Sequence, residues 1–262
     1  MPLSDSFQRR FKEWSTVIAA LILGISVIIG TVVVSNMVTF VKTFNASQIA
    51  VTGSAQRKVT SNEVKWTGQF SVNTPLDVMK AGYAGVAREK AQVMAFLKRN
   101  GVSAQEVTVS PVKMSLTYPQ LKWNPQAAVS LGKAALSDYT LTQTVIVQSG
   151  DVNGITSLAQ SVGSLVNQGV NFSTQSLQYY YTKLAQIRGA LEAKAMLDAK
   201  ARAAEMVGAA GGRLGPLVSV KTGVLQLTPV NSTETSGGGT YDTTTIQKKL
   251  TAVVRASFRL AR

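Results

Sequence analysis

Four glycines at the end of an alanine-rich stretch are the residues whose types and spacing most suggest chemistry. Gly208, Gly211, Gly212 and Gly215 surround Arg213, and a glycine-rich loop with a basic residue can bind phosphate. Such a loop follows a strand and begins a helix, because the helix N-terminus supplies free N–H groups. Here a helical pattern precedes the glycines and the strand pattern PLVSV follows them. The run is therefore interpreted as a helix end and a turn, where the helix dipole is negative.

The carboxylates show no spacing typical of acid–base catalysis or of metal binding. Six of them are scattered at segment ends and on polar faces: Glu63, Asp77, Glu89, Glu106, Asp138 and Asp151. Three more, Glu192, Asp198 and Glu205, share the alanine-rich helix with basic residues. Asp198 lies four residues before Arg202, which predicts a surface ion pair. We interpret all of these carboxylates as solvated charges.

The composition excludes several kinds of catalytic site. The chain has no histidine and no cysteine, so it lacks the usual general base near neutral pH, a nucleophilic thiol and the ligands of nearly all zinc and iron–sulfur sites. We therefore predict no catalytic residue, no metal and no cofactor. An enzyme that uses a serine–lysine pair or carboxylates stays open as an alternative. It requires a deep pocket where such groups converge.

The aromatic and basic residues do not predict a nucleic-acid interface. Tyr179, Tyr180 and Tyr181 could stack on bases or sugars, but strand alternation places Tyr180 opposite the other two, which indicates strand packing. The chain has 27 basic and 13 acidic residues, a balance that favours acidic partners. The basic residues are spread along the chain without a nucleic-acid motif, so we expect no nucleic-acid partner.

Residues 15–41 predict a single transmembrane helix. They contain no charged side chain, and a bilayer core about 30 Å thick needs roughly 20 helical residues. Arg9, Arg10 and Lys12 precede this segment, whereas only Lys42 follows it closely. The excess of positive charge before the helix places the N-terminus in the cytoplasm.

A cleaved signal peptide is the alternative to this anchor. Cleavage after Ala46 would place Phe44 at the third-last position, where a small residue is preferred. The uncleaved anchor is therefore favoured. The predicted organisation is a cytoplasmic tail, an anchor, a linker and an extracytoplasmic domain, over residues 1–14, 15–41, 42–47 and 48–262.

Several segments of the outer domain alternate apolar and polar residues, which is the period of a strand. One-sided alternation of this kind is typical of a sheet with one covered face. The predicted strands are 48–55, 64–72, 105–117, 139–147, 171–181, 216–227 and 250–260.

Three segments have helical periodicity. The first begins at TPLD, where Thr74 is expected to cap the helix and Asp77 to complete a capping box, and it stops at Asn100-Gly101. The second follows Asp151 and ends before Gly169. The third, about 182–210, is rich in alanine, and we predict that it packs tightly on the sheet of its own domain.

Two further features concern the connections. The first two helices are both followed by Gly-Val, a short polar link and a strand, which suggests two related helix–strand units. Residues 118–137, which contain Trp123, and residues 228–245 are predicted loops because they are rich in turn-forming residues.

The order of these segments resembles the SIMPL-domain family over about 48–261. It is carried by IAVTGSAQRKVTSNEVKWTGQFSV, LKRNGVSAQEVTVSPVKMSLTY, DYTLTQTVIVQ, GVNFSTQSLQYYYT, AAGGRLGPLVSVKTG and LTAVVRASFRL, in that order. The resemblance implies an α+β domain of mostly antiparallel sheet covered by about three helices, without a catalytic centre. Bacterial members are periplasmic or membrane-anchored, some form ring- or cage-like oligomers, and some are linked to envelope or oxidative stress.

Together these observations predict a non-enzymatic protein anchored in the bacterial inner membrane by one helix, with its main domain outside the cytoplasm. The expected partners are the lipid bilayer and further copies of the chain. Many relatives have a cleaved signal where this chain has a predicted anchor. The alternative is an accessory or scaffold subunit of another membrane protein complex, with the two predicted loops as docking elements.

Overall fold

The computed structural model describes residues 21, 23–38, 48–117, 138–234 and 236–261. Over these residues the protein is α+β, with two five-stranded sheets of mostly antiparallel pairing and five helices. The predicted fold class is thereby confirmed in outline. The predicted loop 118–137 with Trp123 lies outside the described residues, as do residues 15–20, 22 and 39–41 of the predicted anchor.

The elements follow one another in a strand-rich order. The strands are β1 Gln48–Thr60, β2 Glu63–Pro75, β3 Val107–Val109, β4 Lys113–Thr117, β5 Asp138–Ser149, β6 Phe172–Tyr180, β7 Arg213–Thr222, β8 Gln226–Pro229, β9 Thr240–Tyr241 and β10 Gln247–Ala261. The helices are α1, residues 21 and 23–38, then α2 Met79–Arg99, α3 Val152–Gln160, α4 Gly163–Val166 and α5 Leu184–Ala209.

The strands form two sheets. The first has the order β1-β10-β8-β9, with β7 also paired to β10. The second has the order β3-β5-β2-β6, with β4 also paired to β5. The chain divides into two compact units: a smaller one, Met1–Gly53, Met196–Lys221 and Val254–Arg262, and a larger one, Ser54–Ala195 and Thr222–Val253.

The core of the larger unit lies on one face of the second sheet. Alternate residues of β2 and β5 are buried, as one-sided alternation predicts. Trp66 of β2 is almost fully buried, its ring centroid lies 5.7 Å from that of Phe172, and its Nε1 donates to Thr174 Oγ1 at 3.2 Å. Helices α2 and α3 supply apolar side chains such as Val93 and Leu158 to the same cluster.

The predicted start of the first helix is wrong. Thr74 does not cap it, because Thr74 is a buried residue of β2 that pairs with Tyr139. The helix begins at Met79, five residues later. Its first turns approach the sheet through Gly82, where an added Cβ would lie 2.2 Å from Thr74 Oγ1. Strand pairing of a β-branched residue has therefore outweighed its capping propensity.

The ends of α2 and α4 share one hydrogen-bonded turn. After α2, the N–H of Val102 donates to the Leu97 carbonyl at 3.1 Å, and Gly101 has a φ of +85°. This is the Schellman arrangement, in which a glycine takes the left-handed conformation and the next residue bonds back to the helix. The same bond recurs after α4, through Leu165, Gly169 and Val170. The predicted similarity of the two helix–strand units thus has a geometric basis.

Three predicted elements are interrupted in the structure. The second helix divides into α3 and α4. At the end of α3, Ser161 Oγ donates to the Leu158 carbonyl at 2.9 Å, a local bond with which serine competes with the helix. The predicted strand 105–117 divides into β3 and β4 at Ser110-Pro111, and 216–227 divides into β7 and β8. The outer domain therefore has four described helices where three were predicted.

The smaller unit contains the tight helix packing that the alanine content predicts. Ala199 and Ala203 of α5 are fully buried and belong to one cluster with Val51, Ala256 and Phe258 of the sheet. Residues four apart share one face of a helix. Alanine at these positions lets the helix backbone lie close to the strands. The prediction that α5 packs on the sheet of its own domain is confirmed.

Helix α1 lies within the predicted anchor. Residues 21 and 23–38 are helical and exposed. No helix within the described ranges is long and apolar enough to cross a membrane.

Replacing Ala203 by Phe tests the close packing of α5 on the first sheet. We expect Ala203→Phe to lower the free energy of unfolding by about 1–3 kcal/mol, because extra volume forces strained side chains or a backbone shift. The matched control is Ala204→Phe, since Ala204 is exposed on the same helix. Denaturant unfolding of both variants measures the difference. Equal stability of the two variants would show that the contact at Ala203 tolerates bulk.

Candidate functional site

The glycine run lies at the junction of α5 and β7 and forms a helix end, as predicted. The N–H of Gly212 donates to the Val207 carbonyl at 2.9 Å, and the N–H of Gly211 donates to the Gly208 carbonyl at 2.9 Å. Gly211 has a φ of +74°. The turn matches those after α2 and α4, and its N–H groups are used within the chain. It therefore offers no array of free donors to a phosphate.

The predicted surface ion pair on α5 is present. Arg202 Nε lies 2.8 Å from Asp198 Oδ2, and both side chains are partly exposed. In the ranges that the structure describes, no three carboxylates lie close enough together to hold a metal ion.

Two of the scattered carboxylates meet in one open polar groove of the larger unit. Glu63 and Glu106 both line it, in a volume of about 430 Å³, together with Asn62, Gln105, Thr108, Gln148, Ser149 and Gly150. Hydrogen bonds from Ser149 and from the backbone and side chain of Ser103 lower the pKa of Glu106. A lowered pKa makes the Glu106 carboxylate a weaker base near neutral pH.

Two of the three consecutive tyrosines, Tyr179 and Tyr180, belong to β6, and Tyr181 follows its end. Tyr179 is buried in the core of the larger unit, and its hydroxyl lies 3.1 Å from Thr156 Oγ1. The ring of Tyr180 lies 6.4 Å from that of Tyr241, whose hydroxyl donates to the Tyr181 carbonyl at 3.0 Å. The three rings therefore do not form one stacking platform.

The most buried charged group, Lys248, pairs with an aspartate of the predicted loop 228–245. Lys248 of β10 is completely buried, and its Nζ donates to Asp242 Oδ2 at 2.9 Å and to the Asp242 carbonyl at 2.7 Å. The carboxylate also accepts from Thr244 N at 2.8 Å and Oγ1 at 2.7 Å, and from the Thr245 hydroxyl. The prediction of a loop over 228–245 is therefore wrong at both ends, which contain the last two residues of β8, all of β9 and the buried Asp242.

Hydrogen bonding decides the charge state of Asp242. Burial by itself raises the pKa of the carboxyl, but the hydrogen bonds from Thr245, Lys248 and Thr244 outweigh it and hold the pKa well below its ordinary value of 3.8. The ammonium and the carboxylate thus remain an ion pair inside the protein. This geometry stabilises the segment before β10 and leaves the lysine no access to a substrate.

A signal for this pair is present in the sequence. Asp followed by Thr two and three residues later is typical of a turn in which the aspartate accepts from the backbone. Lys248 also occupies an inward position of β10, in register with Leu250 and Ala252. An inward lysine requires a buried carboxylate or carbonyl nearby, and Asp242 is the closest acid before it in the sequence.

Two acceptor oxygens of the larger unit are buried without a donor. Glu89 Oε2 on α2 and Gln143 Oε1 on β5 have no hydrogen-bond partner in the part of the chain that the structure describes. Burial raises the pKa of Glu89, although the nearby Arg88 lowers it in part. A raised pKa favours the protonated carboxyl, which can itself act as a donor.

A family model described as SIMPL, a protein of unknown function (DUF541), matches residues 49–258, from the second residue of β1 into β10. The chain belongs to the SIMPL family. No curated protein matches the chain.

The SIMPL domain exposes apolar side chains along one strand, β7. Leu217, Val218 and Val220 are 48%, 38% and 43% exposed, and we call these three residues the β7 edge. Among the described strands, only β10 pairs with β7. An exposed strand of this kind presents both unpaired backbone groups and apolar surface to another chain.

The backbone of β7 has one donor-poor position. Gly223, directly after β7, donates its N–H to the Val253 carbonyl of β10 at 2.8 Å. Because alternate residues of an antiparallel strand face opposite neighbours, the N–H groups of Thr222, Val220 and Val218 are directed to the other side. Pro216 shares their alternation but has no N–H. The outer side of β7 therefore offers donors at Leu214, Val218, Val220 and Thr222, with a gap at Pro216.

Removing one partner of the buried pair should destabilise the SIMPL domain strongly. We expect Lys248→Met to lower the free energy of unfolding by about 3–5 kcal/mol, because it leaves a buried carboxylate without its cation. Arg202→Met is the matched control, since that pair is exposed and should change stability by at most about 0.5 kcal/mol. Denaturant unfolding measures both. Similar losses for the two variants would contradict the assignment.

The pH dependence of stability tests the pair of Asp242 and Lys248. Because the folded pKa of Asp242 is lowered, its contribution to stability is present above the ordinary pKa of 3.8 and is lost as the pH falls through the folded value. Asp242→Asn should therefore show a smaller loss of stability on acidification than the unmodified protein.

Proposed function

We propose that this SIMPL protein is a non-enzymatic, membrane-anchored protein that self-assembles outside the cytoplasm through strand pairing. The observation that carries the proposal is β7 itself, a strand of ten residues with one described partner strand and the exposed apolar side chains of the β7 edge. Pairing with another chain would satisfy its free backbone groups and remove that apolar surface from water.

The sheet offers a complementary edge to such a strand. Among the described strands β1 pairs only with β10, on the side opposite to β8. β7 continues along the β8 side, because Gly223, between β7 and β8, also donates to β10. Pairing β7 of one copy with β1 of the next is a head-to-tail contact, which closes into a ring when the rotation between copies permits. Pairing β7 with β7 would instead give a two-fold dimer.

The proposed anchor is supported by the apolar sequence of residues 15–41 and by α1. Every described residue of α1 is exposed, including Leu23, Ile28 and Val33. A helix that is apolar on all sides requires an apolar environment all round. The basic residues before it favour a cytoplasmic N-terminus. The SIMPL domain would then be held near lipid head groups, and an envelope or stress-protection role fits that location.

An accessory or scaffold subunit of another membrane complex is the second candidate. The predicted loop 228–245 is a smaller docking element than expected, because Thr228 and Asp242 are buried. Residues 230–234 and 236–239 remain at or near the surface. Purification from native membranes separates the candidates: a stoichiometric foreign subunit supports the second, and copies of this chain alone support the first.

Charge on the β7 edge should block assembly. We expect the full-length protein in detergent to be oligomeric, and the double variant Val218→Lys, Val220→Lys to have a lower mass, because like charges would oppose an incoming strand. Leu197→Lys with Met206→Lys is the matched control, since these exposed apolar residues lie on α5. Light scattering after size exclusion measures the mass. A monomeric parent protein, or an unchanged mass in the β7 variant, would refute the proposal.

The anchor is tested by alkaline extraction of membranes. We expect the full-length protein to stay in the membrane pellet at high pH, and the double variant Ile28→Lys, Val32→Lys to be released in part, because each lysine near the centre of a span costs roughly 2.5–3.5 kcal/mol. Protease added outside the inner membrane should digest residues 48–262. Full release of the parent protein by alkali, or complete protection from protease, would exclude this topology.

A further inference from the structure

A cavity of about 190 Å³ lies between the second half of β1 and the first half of α5. It belongs to the larger unit and is separate from the β7 edge in sequence. The residues that line it are Gln56, Arg57, Ile187, Ala190, Leu191 and Lys194. None of them is acidic, although α5 also carries Glu192, Asp198 and Glu205.

Two cations from different elements line this cavity. Arg57 lies on β1 two residues before the buried Val59 and so shares its face of the strand. Lys194 lies on α5, one turn before the exposed pair of Asp198 and Arg202. Neither the Arg57 nor the Lys194 side chain forms an ion pair or a hydrogen bond with the described residues. Both residues are exposed, and two cations beside one small volume attract an anion.

The remaining wall of the cavity is largely apolar. Ile187, Ala190 and Leu191 lie on α5 within about one helical turn of one another, and Leu191 is almost fully buried. Gln56 adds an amide, which can both donate and accept. The cavity thus combines a cationic side with an aliphatic side, as sites for a charged group on a short hydrocarbon do.

We propose that this cavity binds an anionic amphiphile. A phosphate or carboxylate would lie between the Arg57 guanidinium and the Lys194 ammonium, because charge-assisted hydrogen bonds favour that position. The first methylene groups of its chain would contact Ile187 and Leu191. A membrane phospholipid and a soluble alkyl phosphate or fatty acid share this chemistry. The proposal requires neither self-assembly nor the anchor.

The probes are chosen to separate charge from hydrocarbon. The full-length protein in nanodiscs of phosphatidylcholine is titrated calorimetrically with hexyl phosphate, inorganic phosphate and hexanol. Hexyl phosphate should bind about tenfold more tightly than inorganic phosphate, as burial of about two methylene groups predicts. Hexanol should bind more weakly than hexyl phosphate, because it carries no charge. Equal binding of hexanol and hexyl phosphate would overturn the proposal.

Variants test whether the two named cations hold the ligand. Arg57→Gln with Lys194→Gln should weaken hexyl phosphate binding at least about tenfold, since two charge-assisted hydrogen bonds are lost. The matched control is Lys58→Gln with Lys200→Gln, which removes the same charge from exposed positions of β1 and α5 that do not line the cavity. Ala190→Asp should weaken binding as well, because it places a negative charge in the cavity. Unchanged binding in the first double variant, or an equal loss in the control, would overturn the proposal.

A second arm identifies the source of the anion. The titration is repeated in nanodiscs that contain phosphatidylglycerol. Weaker apparent binding of hexyl phosphate there would show that a lipid of the same membrane occupies the cavity. Unchanged binding would assign the site to a soluble amphiphile. Failure of the parent protein to bind hexyl phosphate in both kinds of nanodisc would overturn the site itself, whatever the assembly state.

Discussion

β10 is the strand on which the first sheet depends, because it hydrogen-bonds to β1, β7 and β8. A strand with that many neighbours must bury one face, and every second side chain of β10 from Lys248 to Phe258 is buried. Apolar residues satisfy this constraint except at Lys248. At that position the buried ammonium is compensated by Asp242, whose carboxylate and carbonyl both accept from it. The buried pair thereby ties the segment before β10 to the strand that organises the sheet.

Much of this fold follows from the periodicity of the sequence. Alternation located β2, β5 and β10, and the Gly-Val pairs located the ends of α2 and α4, because both signals depend on local geometry. The predictions failed where a local preference competed with pairing. Thr74 can cap a helix, but in the folded chain it pairs with Tyr139. Whether this threonine caps a helix or extends a strand depends on the neighbouring strand.

The candidate sites were harder to predict, because they combine residues that are distant in sequence. Composition marked residues 228–245 as a loop, although Asp242 within it becomes buried beside Lys248. Glu63 and Glu106 looked scattered until β2 and the turn before β3 brought them to one groove. Arg57 and Lys194 gave no signal at all, since neither lies in a motif. Spacing predicts what shares a helix face or strand face, but a cavity between two elements requires their packing.

Because Pro216 has no N–H, the backbone donors on the outer side of β7 are unevenly spaced along the strand. A strand that pairs there finds backbone donors at Val218, Val220 and Thr222 but none at the proline. In the proposed assembly, a neighbour that slid along β7 would lose hydrogen bonds at this gap, so one alignment is preferred over the others. The missing N–H at Pro216 would in this way select the register between neighbouring copies.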